Sequence, residues 1–355
     1  MTAIAGWRAA LADLSPANFG LVMATGILAL AASMMELPAI ARALFVLNVV
    51  QYAVLVLLYL LRALWHSRRF FGDFADHGVG PGYFTVVAAS GVLASEFLLQ
   101  GRDAAVAWGL AGATLVLWLL ITYAMFLAFM VKREKPPLAQ GISGSWLLAV
   151  VATQSVAVVA ALLAPQAALA WRQPLNFLAL TTWLAAGMLY IWLMTLIFYR
   201  FVFLRLTPEE LVPSYWINMG ALAISTLAGA LLVQGAREAP WLAELLPFLK
   251  GFTLFYWAAG TWWIPVLVLL GVWRHGVRRY PLRYEPLYWG LVFPLGMYAA
   301  CTWQMDAALG IALLKPLAQL FLWLGVLAWL VTWGGMLRRV SALIRGGCVR
   351  TPGVG

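Results

Sequence analysis

Charged side chains are scarce in this sequence. Only 10% of the 355 residues are Asp, Glu, Lys or Arg, against 64% hydrophobic, and the mean hydropathy is +0.90. Globular chains carry about 25% charged and roughly 45–50% apolar residues. A soluble fold of this composition would lack the polar surface to cover itself, which excludes a soluble enzyme and a nucleic-acid binder. The apolar runs are long and do not alternate with a period of two, which excludes an outer-membrane barrel. A helical integral membrane protein remains. Cysteine is also scarce: Cys301 lies in an apolar run and Cys348 in a basic tail, so there is no disulfide framework. The first 15 residues have neither an apolar core nor a cleavage site, so no signal peptide is read. Ile4, Trp7, Leu11 and Leu14 predict one face of a short surface helix.

The middles of the apolar runs contain no Lys, Arg, Asp, Glu or His. Glu96 and Asp306 fall near external ends, and His66, His77 and His275 fall in cytoplasmic segments. Ionisable groups inside spans are the usual mark of proton relays and ion-coupled pumps, so their absence favours a conduit with a simple gate. No paired acids, His-metal set or Cys–His arrangement lies within the spans, which argues against an intramembrane enzyme. His66, Asp73, Asp76 and His77 match no metal-ligand spacing, and no cofactor is expected.

What the chain does have is ten runs of the length a membrane helix needs, over residues 16–35, 43–65, 81–100, 105–131, 145–164, 175–204, 213–234, 251–273, 286–305 and 313–336. They define one transmembrane domain, 16–336, between an N-terminal segment, 1–15, and a basic tail, 337–355. Of the 23 Lys and Arg residues, 17 fall with the two termini and the loops between runs 2–3, 4–5, 6–7 and 8–9. The other 6 are Arg42, Arg102, Arg172, Arg237, Lys250 and Lys315. By the positive-inside rule both termini are cytoplasmic, in an inner cell membrane.

The odd-numbered runs begin alike, with Pro16-Ala17-Asn18-Phe19, Pro81-Gly82-Tyr83-Phe84, Ser143-Gly144-Ser145-Trp146, Pro213-Ser214-Tyr215-Trp216 and Pro286-Leu287-Tyr288-Trp289. Each has an aromatic residue three after its start. Proline suits a first helical turn, where no N–H partner is lost. The chain therefore reads as five helical hairpins with pseudo-five-fold symmetry, although prolines and aromatics also favour membrane interfaces without any repeat. In twenty-residue windows, Ala, Gly, Ser and Thr total 40 in the odd runs and 24 in the even ones, while Leu totals 17 and 29. Small residues permit close helix approach and leucine suits lipid, so the odd helices are expected inside, around a central axis.

All five odd helices start on the cytoplasmic side. Each N-terminus carries roughly half a positive charge, which makes one mouth attractive to anions. Counting seven from each start gives Met23, Ala88, Val150, Gly220 and Phe293, and counting ten gives Gly26, Gly91, Thr153, Ala223 and Gly296. With Phe19 and Phe84 at the third position, and Met297 after Gly296, these are the candidate pore-lining residues. Phe293 is the one bulky aromatic of its layer and precedes Pro294, which frees the carbonyl of Gly290 and predicts a kink. Phe293 either packs between helices or closes a narrow apolar tube as a hydrophobic gate.

Five stretches carry a family resemblance. They are Ser15–Gly26, Gly80–Ala88, Pro213–Gly220, Gly260-Thr261-Trp262-Trp263 and Tyr288–Met297. In order, they resemble the tellurite-resistance/dicarboxylate transporter family, which includes the plant guard-cell slow anion channels, the yeast malate permease and sulfite efflux pump, and a bacterial tellurite-resistance membrane protein. The resemblance implies five pseudo-symmetric hairpins, inner helices lining a pore, a homotrimer, and a phenylalanine on the ninth helix occluding the pore, which falls on Phe293. The fifth helix departs from the pattern, with Ser143 in place of proline, which leaves the register of Val150 and Thr153 open. The reading is an anion channel or channel-like transporter for small inorganic or organic anions, in contact with lipid and with no nucleic-acid partner. The alternative is a secondary carrier, proton-linked or not, exporting sulfite, C4-dicarboxylates such as malate, or tellurium oxyanions. A sensor without transport is a further possibility.

Overall fold

The computed structural model describes residues 8, 10–236 and 239–344. Ile4, Trp7, Arg237, Arg345, Cys348 and Arg350 lie outside the described residues. The long helices are α1 (Gly20–Met34), α2 (Pro38–Trp65), α3 (Phe84–Leu99), α4 (Ala104–Val131), α5 (Leu148–Leu163), α6 (Leu169–Phe203), α7 (Ile217–Gly235), α8 (Leu246–Val272), α9 (Trp289–Leu309) and α10 (Lys315–Ile344). There is no strand among the described residues.

By length and apolarity, nine helical segments among the described residues can cross a membrane, one fewer than the sequence predicts. The one left out is α9, whose Trp289, Tyr298, Trp303, Gln304 and Asp306 lower its hydropathy. It is nonetheless buried along most of its length, from Trp289 to Asp306. A helix enclosed by other helices need not be apolar enough to face lipid.

Burial divides the helices into two sets. In α1, α3, α5 and α7, with their leading turns, 72–94% of the most apolar window is buried; in α2, α4, α6, α8 and α10 the share is 22–50%. The buried helices pack in a closed sequence, α1 on α3, α3 on α5, α5 on α7, α7 on α9 and α9 on α1. Each outer helix packs on the inner helix before it, α2 on α1, α4 on α3, α6 on α5, α8 on α7 and α10 on α9.

Aromatic side chains then tie each outer helix to the following inner one. The Tyr52 hydroxyl of α2 lies 2.8 Å from Ser90 Oγ of α3. Trp118 Nε1 of α4 donates to Thr153 Oγ1 of α5 at 2.9 Å, and Trp183 of α6 to the Ser225 carbonyl of α7 at 2.8 Å. Trp257 of α8 donates to Thr302 of α9 at 3.0 Å, and Trp329 of α10 returns to Thr25 of α1 at 2.9 Å. The last bond joins chain segments about 300 residues apart. Thr25→Val keeps the side chain's shape and removes the acceptor of that bond. It is expected to cost about 1 kcal/mol, read as a lower thermal midpoint of the detergent-purified protein, and an unchanged midpoint would remove the bond's structural role.

The loops leading into the inner helices are held by buried cations. Arg62, at the end of α2, donates to the Ala12 carbonyl at 3.1 Å, to Tyr83 Oη at 3.3 Å, and to the Asp73 carboxylate. Arg200, at the end of α6, donates to the Ile142 carbonyl at 2.7 Å and to Tyr215 Oη, and pairs with Glu210 at 3.5 Å. Asp76 accepts from the N–H groups of Gly78 and Val79. The His77 ring stacks on Phe129 at 4.4 Å. Burial, and then the nearby Lys132 charge, hold the His77 pKa below its usual value. Leu11, on the predicted surface helix, is buried.

Candidate pore and occlusion site

Each inner helix is led in by a short 3₁₀ turn: Pro16–Phe19, Gly80–Tyr83, Gly144–Leu147, Pro213–Trp216 and Pro286–Tyr288. Four of the five have proline in their first two positions. The third lacks it, and there the Ser143 side chain accepts from Ser145 N at 3.4 Å. That turn therefore opens at Gly144, one residue after the start read from the sequence, and seven residues on falls at Val151. The five turns touch their neighbours in the same closed order as the helices. Their unbonded N–H groups, which a helix start leaves free, gather at one end of the ring.

Two small cavities follow along the ring. The first is lined by Ala17, Gly20 and Met23, by Thr85, by Ser145 and Leu148, by Ser214 and Ile217, and by Pro286, Leu287, Trp289, Gly290 and Phe293. All five inner segments contribute. Its volume of about 20 Å³ holds a single water. The second is lined by Ile27, Leu30, Gly91, Val92, Ser95, Ser155, Val158, Ile224, Leu227 and Met297, again from all five helices, with about 10 Å³. Counted from Pro16, Pro81, Gly144, Pro213 and Pro286, the first cavity is lined mainly at positions one and four, with Met23 and Phe293 at seven, and the second mainly at eleven and fourteen, with Gly91 at ten. Position seven borders the first cavity on the side of the second in helix register. Met23 and Phe293 occupy it on α1 and α9, each 1% exposed.

The other residues predicted from sequence have distinct places. Ala88, Val150 and Ala223 are buried and line neither cavity. The Phe19 ring lies against Tyr52 and Tyr59 of α2, and Phe84 against Phe126 of α4. Thr153 accepts from Trp118. A Cβ on Gly26 would meet Asn48 and Val92, one on Gly296 would meet Ile27 and Leu28, and one on Gly220 would meet the Pro294 ring at 2.7 Å. Gly220 thus makes room for Pro294, which sits inside α9 beside Phe293.

Sequence reasoning missed the hydroxyl residues that line the first cavity. Thr85 Oγ1 donates to the carbonyls of Gly82 and Pro16. Ser214 Oγ is buried without a partner, and Ser145 lines the same cavity. The signal was present as small hydroxyl residues one and four positions after the helix starts. Also missed was a buried acid. Glu96 is fully buried and accepts from Asn48 Nδ2 at 2.5 Å, close to Gly26, while its other oxygen has no partner. Asp306, by contrast, caps the start of α10 by accepting from Leu313 and Leu314 N–H.

A ring of buried helices with aligned N-termini and small apolar cavities along its interior has the build of a membrane conduit rather than of an enzyme. The family model described as voltage-dependent anion channel matches residues 13–337, and the chain belongs to this SLAC1 family. It is therefore a multi-pass membrane protein of a transporter and channel family, not an enzymatic one. It is similar to an uncharacterized membrane protein of Mycobacterium tuberculosis, 36% identical over 44% of this chain and 79% of that protein. Two uncharacterized transporters of Methanocaldococcus jannaschii are each 23% identical, over 88% and 89% of this chain and 91% and 90% of their own lengths.

Proposed function

We propose that this protein conducts small anions through the axis of its inner helices, arranged with pseudo-five-fold symmetry as five hairpins, and that Phe293 closes the path. One observation carries the reading: all five inner segments line two successive cavities, and Met23 and Phe293 border the first while the positions one and two turns further on line the second. A tube narrowed to apolar side chains closes by dewetting and needs no charged plug. The gathered helix starts and the hydroxyls of Ser145 and Ser214 supply donors to an anion without a fixed countercharge that would trap it. The basic loops support a cytoplasmic mouth in an inner membrane, with both termini on that side. The unit is a homotrimer on family resemblance, with one path per protomer.

Glu96 favours a second reading. A fully buried carboxyl group beside Asn48 is what a proton-linked carrier would use, for sulfite, C4-dicarboxylates or tellurium oxyanions. Flux from liposomes containing the purified protein distinguishes the two. A channel passes chloride, nitrate, sulfite or malate only down their gradients, whatever the pH step. Accumulation against a gradient driven by a pH step would replace the channel with the carrier. No anion flux of either kind would remove both.

A further inference from the structure

The ends of α2, α6 and α8 are built on one plan, and the third breaks it. Each outer helix ends near a buried arginine, Arg62, Arg200 or Arg274, ahead of a tyrosine in the next 3₁₀ turn, Tyr83, Tyr215 or Tyr288. Arg62 pairs with Asp73, and Arg200 with Glu210. Arg274 is only 4% exposed, yet among the described residues no carboxylate pairs with it and its Nε has no partner. Its guanidinium instead lies over the Tyr280 ring at 4.4 Å. A buried cation left without an anion is costly, and such a group calls for an explanation.

The explanation lies in the space beside it. Arg274 sits in a π-helical turn, Trp273–Val277, that continues α8. Turns of this kind are frequent at functional sites. It lines a cavity of about 520 Å³ bounded by the start of α7, the end of α8 and the start of α9, far larger than either cavity on the ring axis. Leu211, Leu267, Leu270 and Leu291 are among its walls, and Val268 and Val272 on its α8 side are exposed outward. One buried guanidinium at the end of an apolar cleft that opens towards the bilayer suits an amphiphile with an anionic head.

We propose that this cleft binds an anionic membrane phospholipid, its phosphate held by Arg274 and an acyl chain lying along the leucines. A guanidinium meets a phosphate with paired, charge-assisted hydrogen bonds, and basic pockets between membrane helices take lipid headgroups. The walls are too apolar for a free phosphate ion to gain from entering. The proposal does not depend on the gate, although Tyr288 and Leu291 place the lipid against the helix that carries Phe293.

The test is native mass spectrometry of the full-length, detergent-purified protein titrated with phosphatidylglycerol or with phosphatidylcholine of the same acyl chains. The wild type is expected to prefer phosphatidylglycerol by about fivefold or more, the size of one well-placed basic contact. Arg274→Gln abolishes the preference. Arg69→Gln, a change at an exposed base paired with Asp13, leaves it intact. Gly271 lines the cleft and has nothing within 4 Å of where a Cβ would stand, so Gly271→Phe fills the space and lowers phosphatidylglycerol binding. If Arg274→Gln does not fold, Gly271→Phe decides alone. A preference that survives Arg274→Gln, wild-type binding by Gly271→Phe, or displacement of the lipid by inorganic phosphate at equal concentration would each overturn the proposal.

Discussion

Phe293→Ala is expected to raise anion flux through the reconstituted protein at least about tenfold, the effect of lowering the barrier by about 1.4 kcal/mol. The ring is 1% exposed and borders the first cavity, while Met297, one turn on, borders the second. Removing it joins two spaces that each hold about one water. Gly220 cannot refill the gap, because it is already packed against Pro294. Phe293→Leu leaves a branched side chain at the same depth and should raise flux less. Selectivity among chloride, nitrate and sulfite should change little, because the helix starts, Ser145 and Ser214 remain. The alanine variant also loses buried aromatic packing, typically about 3–5 kcal/mol, so monodispersity must be checked alongside flux. A folded alanine variant that conducts no better than wild type would end the gate hypothesis.

Gly144→Ala is expected to have the largest effect on folding. A Cβ there would stand 2.4 Å from the Ser214 carbonyl oxygen and 2.6 Å from Tyr215 Cα. Both are backbone atoms of the neighbouring 3₁₀ turn, so no rotamer change relieves the contact. That turn is itself anchored through Tyr215 to Arg200. Separating two adjacent turns of a closed ring should cost about 3 kcal/mol and reduce the yield of monodisperse protein. Gly251→Ala is the control: nothing lies within 4 Å of its Cβ, and it should stay within about 0.5 kcal/mol of wild type. Equal behaviour of the two variants in a thermal melt would rule out the close turn packing.

Several features of this arrangement were legible in the chain before any coordinates. Proline or serine followed by an aromatic three residues on marked all five helix starts, because a first turn has no N–H to lose and an interfacial aromatic is favoured there. The excess of small residues in alternate runs marked the helices that the structure buries. The residues lining the two cavities were less legible. A count of seven reaches Met23 and Phe293, which border the first cavity, but also Ala88 and Val150, which border neither; a count of ten reaches Gly91 in the second cavity, but also Gly26 and Gly296, which touch neighbouring helices. The stripe that meets the cavities steps from seven to eleven. A helix turns 100° per residue, so an error of one position moves a side chain from the axis to a neighbour. On α5 the missing proline shifted the start by one residue, and only the Ser143 cap reveals it.

Composition and local pattern alone determined that this is a helical membrane protein, which helices are enclosed, and that Phe293 with Pro294 is the exceptional pair on its helix. These properties depend on apolar length, helix-end chemistry and side-chain size, all of which are local. Tertiary structure alone decided that Glu96 is buried against Asn48, that Trp329 bonds back to Thr25 across the whole chain, and that Arg62 and Arg200 find acids while Arg274 does not. In the sequence these are an acid near a helix end, a common tryptophan and three similar arginines. Which of them becomes satisfied depends on the partners that distant segments bring within hydrogen-bonding distance, a property of the closed ring and not of any one helix.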